Sequence, residues 1–197
     1  VERSRGLGDV YKRQDINFLI NTILVTSAFY LFLITLKDFF SKKFKNLSQN
    51  LAHFSFSLLI LSILFNNFLS TEIITNLKIN ETYENDSLKI NFEGIEQKDE
   101  QNFKAIIGKF VVEHNGGQTD IMQPELRIYN QPNIITSEAD IKTTLYKDKF
   151  MTMNSVQNQE YFNIRYQVKP FMIWIWLSTF LISLSGLIGF FKKRYEN

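Results

Sequence analysis

Histidine is where chemistry is most readily sought in this chain, and there are two: His53 and His114. His53 lies in the apolar stretch LAHFSFSLLILSI. Ionisable side chains in such stretches are rare and tend to face a bundle interior or a site. A neutral imidazole offers a lone pair to a metal, and in a membrane haem iron is the commonest candidate. The competing reading is an interfacial imidazole, hydrogen-bonded to backbone or a lipid head group, because a polar loop lies close upstream. One histidine does not make a bis-histidine site, so a second ligand would come from another helix.

The other polar candidates are weaker. His114 precedes Asn115-Gly116-Gly117 and reads as a solvated turn residue. Asp99 with Glu100, and Glu138 with Asp140, are acidic neighbours of the kind that normally sit in water. Arg127 and Tyr129 stand between Pro124 and Pro132. That segment reads as an edge strand, since proline cannot donate to an interior ladder, or as a docking strand for a partner. With no cysteine, disulfides, thiolate metal sites and cysteine catalysis are excluded within the chain. No glycine-rich phosphate loop, HExxH motif or Ser-His-Asp arrangement is present. A net charge of +2 lacks the basic stripe of a nucleic-acid binder.

These residues are carried by three apolar blocks and one polar one. Residues 16–36 hold no charged side chain, and 21 residues at about 1.5 Å each cross a hydrocarbon core of ~30 Å. Residues 51–70 form a second, wetter span with Asn66 and Asn67 near its end. Residues 171–191 form the third, with Trp174 and Trp176 near one end as in an interfacial belt. Pro170 suits a first helical turn, where its missing N–H costs nothing. Ser185 and Gly189 make a small-xxx-small pair that would let another helix approach closely.

Between the second and third spans lies a domain with 15 acidic and 10 basic residues at 72–168, a net of −5. Alternating runs at 74–80, 88–95, 103–114 and 161–168 predict antiparallel strands. Asn115-Gly116-Gly117 suits a tight hairpin. Residues 137–147 read as a short helix capped by Ser137. The expected fold class is therefore α-helical membrane spans plus a small β-sandwich or open barrel.

The expected organisation runs as follows: 1–14, a linker-like, non-native segment set aside from the fold, with the true N-terminus upstream; 15–37, a first transmembrane helix; 38–50, a basic cytoplasmic loop; 51–71, a second helix; 72–168, a periplasmic β-rich domain; 169–191, a third helix; and 192–197, a cytoplasmic tail. Lys37, Lys42, Lys43 and Lys45, and the cluster at 192–194, fall on one side if there are three spans. The positive-inside rule then puts the acidic domain outside, in the periplasm of a Gram-negative cell.

Four segments in this order resemble the C-terminal part of the CcmF/NrfE family, the large membrane subunit of the haem lyase of cytochrome c maturation. They are LAHFSFSLLILSI at 51–63, NFKAIIGKFVV at 102–112, QPELRIYNQPNIITSEADI at 123–141 and YQVKPFMIWIWLSTFLISLSGLIGFFKKRYEN at 166–197. The resemblance implies attachment of haem to the CxxCH cysteines of apocytochrome c on the periplasmic side of the bacterial inner membrane. It also implies a haem chaperone and a thioredoxin-like haem-lyase protein as partners. The family carries a transmembrane histidine in an A-H-x-G context that ligates haem b. Ala52-His53 keeps the pair, so His53 becomes the expected haem-iron ligand, and Ser55 stands where the family has glycine. The family's tryptophan-rich segment, paired periplasmic histidines and second haem b ligand belong upstream, so the chain is not expected to perform ligation alone, and no catalytic residue is assigned within it. The alternatives are a non-enzymatic, membrane-anchored periplasmic binding module and the outer domain of a permease.

Overall fold

The computed structural model describes residues 2–41, 47–155 and 160–195, with side chains at 19–41, 47–155 and 160–192. Lys42, Lys43 and Lys45 of the basic loop, and the side chains of Lys193 and Arg194, lie outside the described residues. The chain divides into two compact units. One comprises residues 1–68 and 171–197, the other residues 69–170.

The first unit contains three helices: α1 (Glu2–Ser41), α2 (Leu47–Leu69) and α3 (Met172–Tyr195). Each carries a stretch long and apolar enough to cross a membrane: Leu19–Ser41, Leu47–Leu69 and Met172–Lys192. Helical geometry in α1 also runs back through residues 2–14, the segment set aside on sequence grounds.

Small and hydroxylic side chains join the helices, as expected where lipid removes any hydrophobic drive for helix pairing. The Oγ atoms of Thr35 and Ser57 lie 2.6 Å apart between α1 and α2, and both side chains are buried. Phe54 of α2 lies against Phe32 and Phe39 of α1, with ring centroids 5.7 and 5.4 Å away. The Ser48 hydroxyl of α2 donates to the Ser185 carbonyl of α3 at 2.8 Å. A Cβ at Gly189 would stand 2.7 Å from that Ser48 oxygen. The Ser185 and Gly189 pair thus meets a neighbouring helix, as the spacing predicts.

The second unit is a β-sandwich of two antiparallel sheets. Its strands are β1 (Thr71–Leu77), β2 (Thr82–Glu84), β3 (Leu88–Asp99), β4 (Phe103–His114), β5 (Thr119–Met122), β6 (Glu125–Tyr129), β7 (Ile135–Glu138), β8 (Asp140–Thr143), β9 (Lys147–Ser155) and β10 (Phe162–Pro170). One sheet has the order β1-β10-β9-β8; the other runs β2-β3-β4-β6-β7, with β5 also paired to β4. The period-two alternation sends Ile90, Phe92, Phe110 and Val112 inward from one sheet and Met151, Met153, Ile164 and Tyr166 from the other. Phe92 and Phe110 stack at 4.3 Å, and Phe162 meets Phe92 edge-on at 5.6 Å. Gly108 is small because it must be: a Cβ there would lie 2.5 Å from the Phe110 ring and 2.8 Å from Met153 Sδ.

Three expectations are corrected. Residues 137–147 form no helix: β7 and β8 lie there, one on the edge of each sheet, joined through Ala139. Ile, Thr and Asp are indifferent helix formers, and pairing to β6 and β9 decides the outcome. The strand between Pro124 and Pro132 is not an edge, because β6 pairs with β4 on one side and β7 on the other. Pro124 escapes the ladder penalty by lying just before β6, where its carbonyl accepts from the Gly108 N–H at 3.0 Å. Finally, Pro170 ends β10 rather than opening α3. Phe171 takes a φ of 59°, and this left-handed residue turns the chain from strand to helix.

Candidate functional sites

His53 sits in the second turn of α2 and is exposed. Gln49, Phe56, Ile63 and Asn67 are exposed too, and with His53 they recur at spacings of three, four and seven. They form one face of the helix. The opposite face, with Asn50, Leu51, Ser55, Ser57, Leu61 and Ser62, is buried. The glycine-to-serine departure falls on that buried face. Ser55 is fully covered and its hydroxyl donates to the Leu51 carbonyl at 2.6 Å, so it shapes helix packing and leaves the His53 face untouched. The face itself offers one imidazole beside an aromatic ring. That donor set would suit a single ligand to a haem iron and no more. Among the described residues no cluster of three or more His, Cys, Asp or Glu could hold a metal ion.

His114 is not a solvated turn residue. It ends β4, and its side chain is only 18% exposed. Asp120, across the hairpin on β5, places Oδ2 3.1 Å from His114 Nε2. Lys149 reaches the same place from the other sheet. Its side chain is 1% exposed, its Nζ lies 3.2 Å from His114 Nε2, and it pairs directly with Asp120 Oδ2. The Tyr166 ring lies 6.4 Å from the imidazole, and its buried hydroxyl meets no hydrogen-bond partner among the described residues.

The electrostatics follow from burial and pairing. Burial disfavours the charged form of His114, and the ammonium of Lys149 adds repulsion; together they outweigh Asp120 and hold its pKa below the ordinary value. Burial opposes ionisation of Asp120, but its hydrogen bonds and charge interactions with Lys149, and secondarily His114, bring its pKa below the usual carboxylate range. Burial, with the charge of Asp120 added, pushes the Tyr166 phenol up, so it stays protonated. The cluster is therefore a buried ion pair flanked by a neutral imidazole and a neutral phenol. Buried pairs of this kind commonly fix how two layers register.

The remaining sequence candidates are structural. Glu100 pairs with Lys98 at 2.6 Å on the surface. Asp140 accepts from the Gln123 backbone N–H at 2.6 Å, and Glu138 accepts from the Thr136 hydroxyl at 3.3 Å. Arg127 is held by Glu125 at 2.8 Å and lies over the Phe103 ring, 5.0 Å from its centre. Because β6 is flanked on both sides, it offers no free edge for a docking strand.

Residues 68–170, just over half of the chain, match the family described as the CcmF C-terminal beta-sandwich. The chain belongs to the CcmF family. Curated relatives share its sequence at a distance. The cytochrome c-type biogenesis protein CcmF of Pseudomonas fluorescens is 25% identical over 148 residues, covering 75% of this chain and 22% of that protein. CcmF of Escherichia coli K12 is 23% identical over 145 residues, covering 74% and 22%. The cytochrome c-type biogenesis protein ccl1 of Rhodobacter capsulatus is 28% identical over 126 residues, covering 64% and 19%. The chain thus spans about a fifth of the length of the curated CcmF proteins it matches. Among solved structures, one described as the cytochrome c haem lyase CcmF superposes with a TM-score of 0.59 at 19% identity, covering 80% of this chain and 27% of that one.

Proposed function

We propose that this chain is the C-terminal part of a haem lyase subunit of cytochrome c maturation, and that His53 supplies one axial ligand to a haem b. The observation that carries this reading is the exposed polar face of α2. Gln49, His53 and Asn67 interrupt an otherwise apolar exposed surface. Polar groups facing lipid are costly, which argues that further protein or a bound group covers this face. Membership of the CcmF family, whose curated relatives are cytochrome c-type biogenesis proteins, supports a haem as that group. When bound, a haem at His53 would supply a one-electron redox centre, with the second iron ligand drawn from elsewhere in the whole protein. The chain's own part is to present the imidazole from a helix fixed by Ser48, Ser55 and Ser57, the first and last of which hydrogen-bond to neighbouring helices.

On this reading the membrane is the bacterial inner membrane, and residues 72–168 lie in the periplasm. The lysines between the first two spans and the basic cluster after the third support that orientation. The partners are apocytochrome c, a haem chaperone and a thioredoxin-like haem-lyase protein. The sandwich would orient them. The test is the absorption spectrum of the intact gene product purified from haem-replete cells. His53→Ala should abolish or strongly shift the bound-haem Soret band, while the yield of membrane-inserted protein stays that of the parent. An unchanged spectrum removes His53 from the site. A pigment-free parent protein would favour a non-enzymatic binding module.

A further inference from the structure

We propose that the β8–β9 hairpin tip of the sandwich docks into the phospholipid headgroup layer of the membrane that α2 and α3 enter. The proposal concerns the sandwich and its chain ends, and it stands independently of any role for His53.

Register places the tip. The chain leaves α2 at Leu69 and enters β1 at Thr71, which pairs with Val168 of β10. It leaves β10 at Pro170 and begins α3 at Met172. Both covalent links to the membrane helices therefore emerge from one end of one sheet. Lys147, the first residue of β9, pairs with Pro170. Residues 144–146 project past that register line at the same end, by one or two residues at about 3.3 Å each. The tip thus reaches the level along the sheet at which the chain itself passes into helix.

The tip also has the right chemistry. Leu145 is 55% exposed and Tyr146 67% exposed. Neither belongs to the core. The turn that carries them is preformed. The Thr144 N–H donates to the Lys147 carbonyl at 3.0 Å, and so does the Thr144 hydroxyl at 2.7 Å. An aliphatic and a tyrosine side chain on a rigid turn match the layer in which amphipathic rings settle. The charge agrees. The domain as a whole is acidic, yet three lysines stand at this end of the sheet: Lys142 and Lys147 on one face, and Lys169, its ammonium 5.7 Å from the centre of the Phe150 ring, on the other. All three are half-buried, with long stems that can lie along the protein while the ammonium reaches a phosphate. Of the acids on this sheet near the tip, Asp148 is buried, Asp140 is held by the Gln123 N–H and Glu72 is paired with Arg165, while the exposed Glu84 and Glu113 belong to the other sheet. The contact is therefore one-sided, led by the β8–β9 corner, and the occupant is a phospholipid surface rather than a basic protein.

The chain contains no cysteine, so a single introduced one is unique within it, and any cysteine elsewhere in the whole protein is first replaced by serine. Tyr146→Cys, carrying an environment-sensitive fluorophore, would be studied in the full-length protein reconstituted in phosphatidylethanolamine–phosphatidylglycerol vesicles. Gln101→Cys, exposed in the turn between β3 and β4 at the opposite end of the strands, serves as the aqueous reference. The expected result is a blue-shifted probe at position 146, quenched by headgroup-proximal brominated lipid, with iodide quenching several-fold weaker than at position 101. Adding Leu145→Asp or the pair Lys147→Gln and Lys169→Gln should return the probe towards water, while the position-101 signal stays fixed and reports an intact sandwich. Equal iodide quenching at both positions would overturn the proposal. So would protection at position 146 that appears only when a soluble protein partner is added.

Discussion

Lys149 gives the sharpest test of how the sandwich is held together. It is a buried cation whose one anionic partner among the described residues, Asp120, is also buried. Lys149→Met keeps most of the side-chain volume and removes the charge. What remains is a carboxylate in a low-dielectric site with only a neutral imidazole beside it. Removing one member of a buried pair costs about 3–5 kcal/mol. A ceiling can be worked out independently. The carboxyl can escape its predicament by taking a proton, and from an ordinary value of 3.8 this costs about 4 kcal/mol at pH 7 but only about 1.5–2 kcal/mol at pH 5, at roughly 1.4 kcal/mol per pH unit. The penalty should therefore shrink by more than half on going from pH 7 to pH 5. Amide hydrogen exchange in β10, read by mass spectrometry on the chain in lipid nanodiscs, measures it. At pH 7 the slowest β10 amides should exchange about two to three orders of magnitude faster than in the parent, relative to intrinsic rates, since each 1.4 kcal/mol is a factor of ten. The double variant Lys149→Met with Asp120→Leu should return to within about 1 kcal/mol of the parent, because no charge is left unpaired. A penalty that is the same at both pH values, or a double variant no better than the single one, would show that the site is held by packing and that the charge argument is wrong.

Two further outcomes follow from the same structure. Acidification should destabilise the sandwich in two stages, because both depressed pKa values mean that the folded state binds fewer protons than the unfolded one. The contribution of His114 is fully present above about 6.5 and is lost as pH falls through its lower folded value, while that of Asp120 is lost only below about 3.8; His114→Gln should flatten the first stage of the melting-temperature profile and leave the second. In the helical unit, Gly189→Leu places a Cβ 2.7 Å from Ser48 Oγ and should separate α2 from α3. Cross-linking between cysteines introduced on those two helices should fall, whereas Gly186→Leu, where a Cβ meets nothing within 4 Å, should leave it unchanged.

The helices were legible because bilayer partitioning is a property of composition: three runs without formal charge suffice, whatever the partners. The long strand β4 was legible for a similar reason, since Phe103–His114 alternates strongly and ends at Asn115-Gly116-Gly117. The segment 137–147 was not, because its local preferences are weak and two separate sheets claim its halves. That β6 reads as an edge has a related cause. A proline excludes a ladder bond only at its own residue, and Pro124 stands one place outside β6.

The buried cluster shows both what was hidden and what was not. His114 and Asp120 flank a hairpin whose register pairs Glu113 with Thr119, so their proximity is local and follows from the turn. Lys149 comes from a different sheet, and no local rule brings it there. Yet period-two alternation in KDKFMTM puts Lys149 on the same face as Met151 and Met153, which are wholly buried. A lysine in phase with two core methionines has to find an anion or leave the core, and Asp120, in phase with the buried Met122, is the acid beside the turn that faces inward. The same logic, applied to α2, separates its two departures from an apolar helix. Ser55 lies in phase with the buried face and satisfies itself on Leu51, so it is explained by packing alone. His53 lies in phase with Gln49 and Asn67 on the exposed face, and all three polar side chains face outward from the described part of the helices. Packing accounts for the serine and leaves the histidine over, and it is that remainder which points to a function.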